Sequence, residues 1–297
     1  MNAGIDDILA KFELGRPTQD GFGTSHGSIE EMTQRIFLTA TMLWGLCATS
    51  GVLAQDKWGD LKGQFVFGPA GTKLPVAAPI IPTKDTQVCG VAEKLFEESV
   101  VINPENRGLE GIAVWLYVKR GEKTPPLHPD YEKANGDMVK IENIHCRFAP
   151  HVLTLRTTQT LEIGNADPIG HNTQITMLAN ASINPIIPAQ GKITQQFKLP
   201  ERFPAPVKCS IHPWMTGYLL VQDHPFMAVS DKDGNFEIKH LPPGEWTFQL
   251  WHEKSGFLKG GTVGGKQETW RRGQMTVKVE AGKPTDLGTI VLDPKTL

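Results

Sequence analysis

A chain of 297 residues with 39% hydrophobic residues holds enough apolar side chain for one or two folded domains, and its 30 basic and 32 acidic residues leave a formal net charge of −2. No basic excess points to nucleic acid, and no second long apolar run points to a multi-span membrane protein. Residues 1–55 carry three of the basic and six of the acidic side chains, so the remainder, about 240 residues, is near neutral with 27 against 26.

Residues 1–31 are polar and without periodicity, and read as an upstream extension of a chain whose start is Met32. One arginine, Arg35, then precedes the apolar run 36–52, which closes on Leu53, Ala54 and Gln55. A single positive charge, a short hydrophobic core and a small-residue exit make 32–55 a secretory signal peptide. Left uncleaved, residues 36–52 would tether the chain to a membrane as a signal anchor. Either outcome places the rest in an oxidising space, periplasmic or secreted.

After residue 57 period-2 alternation dominates, in runs such as 63–67, 112–118, 234–238, 246–251 and 275–279. Between them lie Gly, Pro and Asn clusters at 69–71, 103–108, 124–130, 180–191 and 242–244. The best of the few helical patterns is 91–96. The fold class is all-β. Asp231, Asp233 and Gly234 look like part of a calcium loop, but the third acidic ligand before the glycine is missing and Pro242 stands where the loop's closing glutamate belongs, so a hairpin turn is expected.

The residues with chemistry are Cys209, His212 and Met215, spaced Cys-x2-His-x2-Met in one short loop, and His171, which lies between the strand-like runs 159–164 and 172–176. Together they supply one thiolate, two imidazoles and one thioether. A thiolate binds copper in both oxidation states, imidazoles hold Cu(II), and a weak thioether favours Cu(I), so neither state is strongly preferred. Zinc is the competing ion, although a structural zinc site more often closes on a second Cys or a third His than on a Met. Position 213 is Pro, so the loop has no second cysteine to bridge a binuclear centre. Of the four cysteines, Cys47 leaves with the signal peptide; with Cys209 as a metal ligand, Cys89 and Cys146 remain, and a disulfide between them is expected outside the cytoplasm.

From about 137 to 223 the chain resembles the cupredoxins, the blue copper proteins, with a short ligand loop of the amicyanin type. The likeness rests on Phe148 to Pro150, the alternation 152–155, the set Asn165, Asp167, His171 and Asn172, and the Met215, Gly217, Leu219, Val221 ending. It implies a Greek-key β-sandwich, one type 1 copper on His171, Cys209, His212 and Met215, and an Asn172 that braces the ligand loop. It also places His212 near the surface, with Pro213 and Trp214 as an apolar docking rim. One departure is Val207, which stands where an aromatic is often found.

Residues 228–252, with the Asp-Gly turn, Phe236 and Leu241-Pro-Pro-Gly244 before an aromatic-rich strand, resemble the transthyretin-like, carboxypeptidase-regulatory-like sandwiches. The early strands of such a sandwich occur far upstream, at 63–67 and 113–116. The economical arrangement is a copper domain of 137–223 inserted into a sandwich built from 57–136 and 224–297. The cupredoxin resemblance of 137–223 implies an exported one-electron carrier that serves redox protein partners and is not itself an enzyme. Neither flank of Cys209, Lys208 or Ser210, offers a histidine bridge to a second copper. The alternative is a secreted structural or glycan-binding sandwich with a copper-carrying domain.

Overall fold

A computed structural model describes residues 57–119 and 121–297; the extension and signal segment lie outside the described residues. The fold is all-β, as the alternation requires. Its one α-helix among the described residues is Pro129–Lys133. Residues 91–96 are not helical: they turn and then form the strand Leu95–Phe96, because Leu95 is drawn into a core and pairing with Pro79–Ile80 supplies its backbone partners. The helix forms instead where Pro supplies an early helical position and the His128 ring accepts the Asp130 N–H as a cap.

Two separate hydrophobic cores organise the strands. One collects Leu61, Phe65, Val114, Phe236, Phe248 and Ile290. Around it lie a sheet ordered Asn235–Leu241, Gly59–Phe67, Pro284–Leu292, Gly260–Val263, Lys266–Thr269 and a second sheet centred on Ala113–Leu116 and Gly244–His252. Gly63 sits opposite Phe236, so strands from before and after the ligand-bearing stretch share one sheet. The turn at Gly234 shows why that residue is glycine. Its φ is +80°, and a Cβ there would lie 2.2 Å from the Phe65 carbonyl oxygen.

The other core collects Ile141, Phe148, Leu155, Leu161, Ile175, Val207 and Leu219, and it also takes in Cys89 and Leu95. It lies between a sheet ordered Lys192–Gln195, Thr160–Asn165, Met138–Ile144, Arg147–Ala149 and one ordered Gln174–Ile175, Ala205–Lys208, Thr216–Gln222, Val152–Arg156. Val207 is fully buried among these side chains.

The two lobes meet through Trp115 and Trp251, which pack with Val152 and Leu220 of the ligand-bearing lobe. Ala113–Leu116 is therefore buried at every position, since its sheet is covered on both faces, and the alternation fades there. Beside this apolar seam the His151 ring lies 2.6 Å from Glu253 and 3.7 Å from Glu98. Burial opposes protonation of His151, but these carboxylates prevail and push it up to about 9; burial, helped by the charge on His151 and opposed by Glu253, drives the neighbouring His252 down to about 4.

The sign follows from the unfolded reference near 6.5. His151 stabilises the fold fully below about pH 6.5, and that contribution is lost as pH rises toward 9. Urea midpoints at stepped pH should fall over that interval in the native chain, and His151→Gln should flatten the decline. An unchanged slope in the variant would remove His151 as its cause.

Candidate metal centre

His171 stands on the short strand His171–Asn172, paired with Ile186–Ile187, while Cys209 directly follows the strand Ala205–Lys208. His212 and Met215 lie in the turn that leads into Thr216–Gln222. The turn closes on itself: the Cys209 N–H donates to the Met215 carbonyl at 3.2 Å, and the Met215 N–H donates to the His212 carbonyl at 2.9 Å. Ligand atoms of His171, Cys209 and His212 lie within 4.8 Å of one another, and all three residues are buried. Met215 is buried in the same core as Cys209.

The two imidazoles are oriented alike. Nε2 of His171 meets Asp167 Oδ2 at 2.8 Å, and Nε2 of His212 meets Asp85 Oδ2 at 2.8 Å. That leaves each Nδ1 for the centre. Nδ1 of His212 is 3.7 Å from the Cys209 sulfur, and the buried Nδ1 of His171 has no partner in hydrogen-bond geometry. A buried polar atom without a partner costs about 1–3 kcal/mol, and a cation supplies what it lacks. Carboxylate-oriented histidines of this kind recur at metal sites, where the carboxylate fixes the tautomer and raises ligand basicity.

Electrostatics agree with that arrangement. Burial opposes a thiolate at Cys209, yet interactions with His171 and His212 and with the amides of Asn172 and His212 bring the thiol down to about 6. Burial likewise opposes the Asp167 charge, but His171 and the N–H groups of Cys146 and His145 hold its carboxyl below the usual range. Those two N–H groups reach the carboxylate at 2.8 and 2.7 Å because His145 and Cys146 both adopt left-handed backbone, with φ of 52° and 57°.

Asn172 braces the loop from the neighbouring strand. Its Oδ1 accepts the N–H of Ser210 at 2.7 Å and of Ile211 at 3.2 Å, and the Cys209 sulfur lies 3.4 Å away. Cys89 and Cys146 are joined as a disulfide. One expectation is corrected: His212 is not near the surface. It is fully buried, because a segment from residues 79–98 folds over it and sets Asp85 on its outer nitrogen; Pro213 is exposed and Trp214 half-buried.

The structure gives a role to two residues, Asp167 and Asp85, that the sequence left without one. Asp167 carried a local signal, four residues before His171 in the same motif. Asp85 lies 127 residues from His212 and carried none. A second cluster, His128, Asp130 and His240, brings ligand-type atoms together, but the two rings stack at 3.9 Å with 11° between their planes. Their lone pairs run in parallel planes and do not converge on one ion.

No family model matches the chain, and no curated protein matches it. Solved structures do. A copper-containing nitrite reductase from Thermus scotoductus aligns at 19% identity over 37% of this chain and 25% of its own, with a TM-score of 0.27. A methionine-to-alanine mutant of amicyanin in its Cu(I) form aligns at 16% identity over 29% of this chain and 82% of its own, TM-score 0.26. A purple cupredoxin from Nitrosopumilus maritimus aligns at 23% identity over 28% and 98%, TM-score 0.24. The chain thus spans about a quarter of the nitrite reductase. With TM-scores this low, what the pocket can bind is decided by its own side chains.

Asn172→Ala would strip two loop N–H groups of their acceptor. Urea unfolding of the metal-free chain should show a loss of about 1–3 kcal/mol. A variant as stable as the native chain would mean that Asn172 does not hold the loop.

Proposed function

We propose that this chain is an exported mononuclear copper protein that carries single electrons between redox protein partners. The observation that carries this reading is the convergence of a buried thiolate with two buried imidazoles, one of which keeps an unpartnered Nδ1. His171, Cys209 and His212 would hold the ion, with Met215 as a weak fourth ligand. When bound, copper supplies one-electron cycling between Cu(II) and Cu(I), which this mixed donor set accommodates in both states.

The chain's own contribution is to hold the donors still and dry. His171 is mounted on one strand and the other ligands on a loop clamped by Asn172, so the donor positions do not depend on the ion. A thiol held near 6 is largely deprotonated at neutral pH, which favours metal entry. Export is supported by the 32–55 segment and by the Cys89–Cys146 bond, a cross-link typical of oxidising compartments.

The test is the visible absorption of the copper-loaded chain beside Cys209→Ser. The expected result is an intense thiolate-to-copper band, bleached by reductant, restored by oxidant and absent from the variant. A folded, colourless protein holding zinc or nothing would overturn the reading. Copper that binds but does not cycle would favour the secreted module with a copper-carrying lobe.

A further inference from the structure

The carboxylate on His212 comes from outside the ligand-bearing stretch. Pro79–Ile80 pairs with Leu95–Phe96 to make a two-stranded arm, and the loop between them carries Asp85 and Cys89. The Asp85 carbonyl accepts the N–H groups of Val88 and Cys89 at 2.9 and 2.8 Å, closing a tight turn in which Asp85 has a φ of +50°. Three things pin the arm to the copper lobe. Leu95 and Cys89 are buried in its core, Glu93 and Glu98 pair with Arg147 at 3.4 and 2.9 Å, and Cys89 is bonded to Cys146.

That disulfide joins the mounts of both carboxylates. On one side Cys89 lies four residues from Asp85, which holds Nε2 of His212; on the other, Cys146 donates its own N–H to Asp167, which holds Nε2 of His171. The His212 ring is wholly buried, whereas the Asp85 side chain is 27% exposed, so Asp85 is the last group between that imidazole and solvent.

We propose that Asp85 is the positioning residue of His212: its carboxylate fixes the proton on Nε2, turns Nδ1 toward Cys209, and by its negative charge favours Cu(II) over Cu(I), lowering the potential of the site. The chemical basis is that a carboxylate accepting an imidazole N–H raises the basicity of the opposite nitrogen, and loss of such partners typically weakens metal affinity about 10–100-fold. The proposal rests on the copper reading above for its redox consequence, but not for the orientation of His212.

Two variants separate charge from shape. Asp85→Gly removes the side chain without straining the left-handed backbone, and Asp85→Asn keeps an acceptor and tolerates that backbone while removing the charge. In the full chain without metal, nitrogen-15 NMR of His212 should show the proton on Nε2 in the native protein and a mixed or reversed tautomer in Asp85→Gly. With Cu(II), competition against a chelator should show affinity about 10–100-fold weaker in Asp85→Gly, with a smaller loss in Asp85→Asn and a raised potential in both.

A native tautomer, affinity and potential in both variants would overturn the proposal. A native chain with no thiolate-to-copper band but an Asp85-dependent tautomer would sink the copper reading and leave the positioning role standing.

Discussion

Placing a thiolate and two imidazole nitrogens inside an apolar core requires every remaining polar atom around them to be matched, since each unmatched one costs about 1–3 kcal/mol. Much of the architecture near Cys209 meets that demand. Asp167 and Asp85 take the two Nε2 atoms, and Asn172 takes two loop amides. The left-handed pair His145 and Cys146 supplies the N–H groups that let Asp167 stay charged while buried. What remains unmatched is Nδ1 of His171, facing the thiolate, and it is the atom a cation would engage.

The same demand explains why the arm at residues 79–98 belongs with the lobe of Cys209 and His212 despite its place in the chain. His212 reaches the edge of its lobe, where its outer nitrogen would otherwise meet water; Asp85 covers it and the disulfide holds Asp85 there. Closing a loop of 57 residues by a disulfide limits the unfolded chain and contributes on the order of 4 kcal/mol. The contact between lobes is of a different kind. Trp115 and Trp251 bury apolar area against Val152 and Leu220, and the His151 ring beside them meets Glu253 across the seam at 2.6 Å, with Glu98 of the arm 3.7 Å away.

Local patterns were legible where neighbours in sequence are also neighbours in space. Cys209, His212 and Met215 fall within seven residues, so their spacing alone forces them into one turn. Period-2 runs became strands because alternation suits a sheet covered on one face. The run 112–118 was also legible as a strand, but that Ala113–Leu116 is buried at every position, its sheet being covered on both faces, was not. The helix expected at 91–96 failed for a similar reason: a buried Leu95 and a pairing strand outweighed a weak local preference.

By itself the sequence determined the all-β class, the donor types and the loop that carries three of them, because strand periodicity and ligand spacing are local properties of the chain. Tertiary structure alone decided that Asp85, 127 residues away, caps His212, that His212 is buried rather than at the surface, and which imidazole nitrogens face the thiolate. Those facts depend on long-range pairing and on the direction in which each ring is turned. Both are set by contacts between distant segments, which no local pattern encodes.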